Sequence, residues 1–395
     1  MRTELEPLGR SYDVVVANPP YMGAKNMNKW LSGWVKDNYP DVKGDLFSCF
    51  MVRNSRMGSQ HAQMGFMTPY VWMFIGTYEK LRRFVIEQNT ITSLIQLEYS
   101  GFSGATVPIC TFTLQRGKAE GYRGGYIRLS DFPGADQQAP RALEALADPS
   151  CGWFYRRDAD TFRQIPGSPI AYWASDTHMN CFASLRPIRD YAYRCNGMTT
   201  GDNDRFLRLW HEVSLAKTSC GTGTSEEAVA SACKWFPYNK GGDFRKWYGN
   251  EDWVINWANN GEDAKTYGHL VPRSQSYMFK PEITWSKISS GKPAFRLKDA
   301  GHMFDVAGLC LFPNQEDQRL LLLGVCNSSV SNSFFNFLSP TLNFEVGNVC
   351  SLPYPESCGG IESAICETVS NCVKIGRDDY DSLETSWVFK RNPLV

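Results

Sequence analysis

Tyr12-Asp-Val-Val-Val-Ala17, cut off by Asn18-Pro19-Pro20-Tyr21, is the feature that most limits what this chain can fold into. An apolar run without alternation reads as a strand covered on both faces, as in a parallel sheet. Two consecutive prolines cannot donate to a ladder or continue into a helix, so the strand ends there. Phe47 to Met57 then has helical spacing, with Phe47, Phe50 and Met51 on one stripe. Gln63-Met-Gly-Phe-Met67 is a short strand ended by Thr68-Pro69, and Tyr78 to Glu87 is a helix. Ile91 to Leu97 and Val107 to Leu114 are strands, the second entered through the turn Gly101-Phe-Ser-Gly104. Strands alternating with helices and closed by a hairpin predict an α/β fold.

Composition bounds the rest. The 395 residues exceed the roughly 250–300 that one core supports, so two or three domains are expected. Residues 118–170, with Gly121, Gly124, Gly125 and an Ala/Asp/Pro-rich stretch, read as a connector. Beyond it the chain turns to short aromatic β-like runs and glycine turns over 171–360, with 361–395 opening a further region. Helical patches fall at Gln318 to Asn327 and Cys366 to Lys374. With 41 basic and 41 acidic residues the chain is no indiscriminate polyanion binder, although one face can still be basic.

No apolar run approaches the roughly 18–20 residues of a membrane span, and Met1 to Arg10 has no apolar signal core. A cytoplasmic protein without a membrane partner is the expectation. Thirteen cysteines form no C-x-x-C pair and five histidines form no H-x-x-x-H pair. Reduced, mostly buried thiols and no metal are therefore expected.

The chemistry lies in Asn18-Pro19-Pro20-Tyr21. The lone pair of an exocyclic base nitrogen such as adenine N6 is delocalised into the ring. A side-chain carbonyl (Asn18) and a backbone carbonyl (Pro19) can each accept one N6–H and draw the nitrogen towards tetrahedral geometry. Pro19 and Pro20 fix those acceptors in advance. Tyr21 offers a ring face to a base taken out of the duplex. The same four residues can also be a plain Asx-Pro turn.

Three further segments narrow the choice: Lys43-Gly-Asp-Leu-Phe47 opening a helix, Gly65-Phe-Met-Thr-Pro69 ending a strand, and Phe102 before Val107-Pro-Ile-Cys-Thr111. In this order the elements resemble motifs IV, V, VI and VIII of the amino-methyltransferases that modify adenine N6 in DNA, with the recognition domain following the catalytic one. Thr200-Gly-Asp-Asn-Asp-Arg-Phe206 with Trp210, Tyr238 to Trp247, Pro281-Glu-Ile-Thr-Trp-Ser286 and Tyr380 to Trp387 are similar to the adenine-specific methyltransferases of BREX phage-defence systems. The resemblance runs from about Tyr12 to the last residue.

It implies S-adenosyl-L-methionine as cofactor, double-stranded DNA as substrate and other BREX defence proteins as partners. The fold it implies is a partial Rossmann-like class I methyltransferase domain at 1–117 and an α+β target-recognition domain at 171–360. Phe102 would stack opposite Tyr21, or else plug the hairpin turn. Asp45 and Phe47 would lie near the cofactor, although a helix cap and a core aromatic explain them as well; Asp13 reads as structural. Asn203, Arg205, Lys240, Arg245 and Lys246, with Lys287 and Lys292, would meet DNA amid Trp235, Tyr238, Trp247, Tyr248 and Trp253, and Gly241-Gly242 would admit a phosphate.

The resemblance is incomplete. Family members carry a glycine-rich cofactor loop upstream of Asn-Pro-Pro-Tyr, and they continue past the Tyr380 to Trp387 motif. The expectation is therefore an internal fragment that binds the methyl donor weakly and leaves Tyr12 to Ala17 as an exposed sheet edge. A catalytically incompetent DNA- or partner-binding module, or a piece of a bifunctional restriction-modification enzyme, are the alternatives.

Overall fold

The computed structural model describes residues 9–99, 101, 107–271, 273–289, 291–339, 343–392 and 394; Phe102 lies outside them. The chain divides into two compact units at Ala183/Ser184.

The first unit is a mixed six-stranded sheet. Its strands are β1 (Tyr12–Ala17), β2 (Gly58–Pro69), β3 (Asn89–Gln96), β4 (Ile109–Arg116), β5 (Arg123–Arg128) and β6 (Phe154–Asp158). The order is β1-β2-β4-β3-β5-β6, with β1/β2 and β3/β5 parallel and the other pairs antiparallel. Its helices include α1 (Lys29–Asn38), α2 (Leu46–Met57), α3 (Glu79–Gln88) and α4 (Ala135–Ala147). Helix α1, which the apolar periodicity did not show, starts where the Asn28 side chain accepts the Leu31 amide at 2.8 Å. In α2, Phe47 and Met51 share the buried face, whereas Phe50 falls on its flank and is 40 % exposed.

Two expectations need correction. Strand β1 is not covered on both faces: it is the outer strand among the described residues, with Val14 63 % and Val16 76 % exposed. Among the described residues no strand pairs with its outer side, and Asp13 ties it to β2 by accepting the Ser59 hydroxyl. The stretch read as a connector supplies β5, β6 and α4, and α4 closes a small core of Leu97, Ile109, Ile127, Leu129 and Ala145. Its glycines mislead because they serve close packing. A Cβ on Gly124 would lie 2.4 Å from the Ile91 carbonyl oxygen. Gly124→Ala should accordingly cost about 2–3 kcal/mol in urea unfolding, as an overpacked site does. A loss under about 0.5 kcal/mol would show that the strand pair yields.

The second unit holds two four-stranded sheets. One runs Met303–Phe304, Trp235–Asn239, Trp253–Asn256, Leu207–Leu209; the other runs Phe295–Lys298, Glu282–Ser286, Gly308–Pro313, Ala192–Cys195. Its core gathers Phe236, Tyr238, Trp257, Phe279, Phe304 and Phe312. Helices Arg319–Asn327, Ser329–Leu338 and Glu362–Asp381 complete it, so 361–395 packs within this unit.

Both units mix helices and strands, as the α/β reading requires. Among the described residues no helix is long and apolar enough to cross a membrane, and no cluster of three His, Cys, Asp or Glu side chains could hold a metal. All thirteen cysteines are free, and burial pushes Cys110 and Cys350 up to about 12.

Candidate active site

Parallel strands β1 and β2 run together as far as the pair Ala17 and Phe66; Asn18-Pro19-Pro20 follows β1, and Pro69 is the last residue of β2. Asn18 and Pro20 are exposed and Pro19 is buried. The Tyr21 hydroxyl sits 3.2 Å from Asn18 Oδ1 and 3.2 Å from the Met67 carbonyl oxygen. It has one proton to share between two acceptors, so it ties the loop after β1 to the end of β2. It also fixes the Asn18 amide, one of whose two Oδ1 lone pairs remains for another donor. Met67 is the contributor that residue types alone did not announce; its backbone position at the end of Gly65-Phe-Met-Thr-Pro69 was the available signal.

The ground beneath this loop is rigid. Asp45 caps α2 and its Oδ1 accepts the amides of Met22 at 2.9 Å and Phe47 at 3.2 Å, so one carboxylate oxygen joins the helix to the loop. Burial pushes the Asp45 pKa up, against the backbone hydrogen bonds that pull it down. Phe47 is buried and meets the Tyr21 ring edge-on at 6.5 Å and the Tyr78 ring at 5.4 Å. Burial, reinforced by Asp45, raises Tyr78 to about 12. Below β2, the Trp72 indole donates to Thr68 Oγ1 at 3.1 Å and packs on Phe112. Tyr21 as a whole is 37 % exposed. Burial, with a smaller contribution from Cys110, pushes its pKa up.

Asp45→Ala removes two hydrogen bonds at one stroke. It should cost about 1–2 kcal/mol in thermal or urea unfolding, the cost of a lost helix cap. A neutral result would mean the loop holds without the helix.

Comparison with known proteins decides the relationship. The chain is 36 % identical over 406 residues to "Adenine-specific methyltransferase PglX" of Lacticaseibacillus casei (strain Zhang), covering 98 % of this chain and 33 % of that protein. It is 32 % identical over 396 residues to "Adenine-specific methyltransferase BrxX" of Escherichia coli O9:H4 (strain HS), covering 98 % and 31 %. Over nearly its whole length the chain is similar to these adenine-specific methyltransferases. It spans about one third of the length of these curated relatives. Residues 6–102, which contain the Asn18 loop, match the Eco57I restriction-modification methylase family.

Solved structures share the fold of this chain. The type IIL restriction-modification enzyme MmeI in complex with DNA superposes with a TM-score of 0.59 at 11 % identity, over 96 % of this chain and 51 % of that one. The type ISP enzyme LlaGI, a nuclease-deletion mutant with a DNA substrate mimic, gives 0.56 at 12 % identity over 96 % and 36 %.

The DNA-facing candidates of the PglX-like chain lie in its second unit and differ in freedom. Asn203 is exposed and its Oδ1 takes the Thr200 hydroxyl at 2.7 Å. Exposed Arg205 lies over the Tyr267 ring at 4.9 Å, and Lys240 over the Trp253 ring at 4.6 Å. Such stacking orients a cation and leaves its outer donors available. Arg245 sits over Tyr380 and 3.9 Å from Asp379. Lys246 turns inward to donate to the Asn327 carbonyl at 3.0 Å, and burial, with Lys292, pulls its pKa down. Lys287 is paired with Glu345 at 3.0 Å.

Proposed function

We propose that this chain carries the target-binding part of a site-specific DNA adenine-N6 methyltransferase, within a BREX-type defence system. Its first unit would be the later part of a class I methyltransferase domain, and its second unit an α+β target-recognition domain. The observation that carries the reading is the Asn18–Tyr21 loop, held at the carboxyl ends of two parallel strands by Tyr21 and Asp45. Open α/β sheets bind their ligands at that edge. The relationship to PglX and BrxX supports the same conclusion.

In this reading the Asn18 Oδ1 and the Pro19 carbonyl accept the two N6–H bonds of an extruded adenine, and Tyr21 stacks on its ring. The bonds aim the nitrogen lone pair outward, and the prolines remove the need to organise the acceptors at the moment of reaction. Double-stranded DNA is the substrate, other defence proteins are partners, and the cytoplasm is the setting. Asn203, Arg205, Lys240 and Arg245 would meet the DNA.

S-adenosylmethionine would supply an electrophilic methyl group. The family resemblance places Asp45 and Phe47 near it, and of the two Asp45 keeps its second carboxylate oxygen outside the hydrogen bonds it makes. One carboxylate oxygen of Asp45 already holds two backbone amides, and Phe47 is shut in the core. These contacts support the amine-binding loop. The same observation favours a second reading, a module that binds DNA or a partner without methylating.

One experiment separates the two. The protein is incubated with duplex DNA and tritiated S-adenosylmethionine, and the digested DNA is searched for N6-methyladenine; duplex binding is measured in parallel. Label that depends on Asn18 supports the methyltransferase. Salt-sensitive duplex binding without label supports the binding module.

A further inference from the structure

Arg296 is a buried cation without an anion. It lies on the strand Phe295–Lys298 and is 0 % exposed. Its Nη1 reaches the carbonyls of Arg245 at 3.3 Å and Ala294 at 3.5 Å, and its Nη2 reaches Ser286 Oγ at 3.3 Å. Its Nε has no hydrogen-bond partner among the described residues. Glu251, which acts on it through space, is engaged by Lys298 and His302. The other fully buried arginine behaves differently. Arg82 makes four bonds of 2.7–2.9 Å to the carbonyls of Trp72, Ile75 and Gly167. A guanidinium can be buried on neutral acceptors when they are close and complete, and at Arg296 they are neither.

Arg296 lines a cavity of about 140 Å³, together with Gly242, Asp243, Phe244, Ser286 and Ser289. The loop above it is set in an unusual backbone conformation. Gly241 and Gly242 have φ of 84° and 118°, and Trp247 holds φ 75°. A Cβ on Gly241 would lie 2.9 Å from the Ala307 carbonyl oxygen. A tryptophan in the left-handed region is strained, and strain of this kind gathers at binding sites. Two bonds of 2.8 Å, from Trp247 N to Phe295 O and from Leu297 N to Trp247 O, hold this loop on either side of Arg296.

We infer that this pocket receives one phosphodiester of the duplex DNA backbone, with Arg296 as its floor. The buried guanidinium lends the pocket a positive charge from beneath, and the Ser286 and Ser289 hydroxyls, which donate to the Gly242 carbonyl at 2.7 Å and the Lys292 carbonyl at 3.0 Å, turn to meet the phosphate when it enters. The rim carries Phe244, 58 % exposed, and Ile288, 65 % exposed, so the opening faces a surface that a macromolecule can cover. Asp243 lines the pocket too and opposes an anion, which holds the affinity down. The inference rests on reading the second unit as DNA-binding.

Two substitutions test it without removing the buried cation. Ser289→Asp puts a carboxylate into the pocket, and Asp243→Asn takes one away. In duplex binding measured from low to moderate salt, Ser289→Asp should weaken affinity about tenfold and flatten the log–log salt slope by about 0.9, the loss of one phosphate contact. Asp243→Asn should tighten binding about threefold, since it relieves one repulsion of the kind that costs a surface pair a few tenths to one kcal/mol. Wild-type binding with an unchanged slope in Ser289→Asp overturns the pocket assignment and leaves the function reading standing. Failure of the wild-type chain to bind duplex overturns both. A third arm titrates inorganic phosphate against thermal unfolding. Stabilisation of wild type but not of Ser289→Asp, with DNA binding indifferent to the substitution, marks a free-anion site and overturns the backbone assignment.

Discussion

Asn18→Ala should lower N6-adenine methylation about 10²–10³-fold, the loss expected when a preorganised polar group at the reacting centre is deleted. Its unfolding midpoint should stay at the wild-type value, because Asn18 is exposed and its recorded partner is the Tyr21 hydroxyl, which keeps Met67. Tyr21→Phe provides the graded control. It keeps the ring for stacking and removes only the hydroxyl whose proton is shared between Asn18 and Met67, so a loss of about fivefold is expected, one ordinary hydrogen bond's worth. The pair is read by tritium incorporation into duplex DNA. Wild-type rates in Asn18→Ala would end the assignment, and equal losses in both would place the effect in loop geometry rather than in the amide oxygen.

The second large effect concerns stability. Lys298 Nζ donates to Glu251 Oε1 at 2.6 Å and also reaches the Gly249 and Asn250 carbonyls at 3.1 and 3.0 Å. His302 Nε2 meets Glu251 Oε2 at 2.7 Å. Glu251→Gln strands a fully buried ammonium, so unfolding in urea at pH 6 should show a loss of about 3–5 kcal/mol; a loss under about 1 kcal/mol would contradict the ion-pair account. The pH dependence has a defined sign. Burial opposes the charge on Glu251, but Lys298 and His302 overcome it and hold its pKa well below the ordinary 4.5. That contribution is present above 4.5 and is lost as pH falls through the folded value. Burial likewise opposes the charge on His302, and Glu251 overcomes it to raise the pKa above 6.5. That contribution is complete below 6.5 and is lost as pH rises through the folded value. Stability carried by this pair should therefore peak between the two limits, and His302→Gln should remove the decline on the alkaline side.

Legibility in the sequence followed the number of meanings a residue type can have. Prolines after an apolar strand have few, so the end of β1 and the loop at Asn18 were readable, and so was the α/β succession to β4. Glycine has several. Gly124 and Gly125 looked like turn residues, whereas Gly124 lets β5 lie against Ile91 and Gly125 packs against Phe154. Valine at an edge and valine in a buried strand are identical in sequence; only the neighbour decides, and Val14 and Val16 have none among the described residues on their outer side. Long-range electrostatics were the least legible. Glu251 and His302 are 51 residues apart and obey no spacing rule. Lys246 looked like a surface cation until the Asn327 carbonyl claimed it.

The proline endings of the two parallel strands have one more consequence. Among the described residues no strand pairs with the outer side of β1, so that side can take one more strand. Such addition needs a continuous row of amide donors, and Pro19 and Pro20 have none. Any strand laid along β1, from this protein or from another, must stop near Ala17 and leave the Asn18–Tyr21 loop unobstructed.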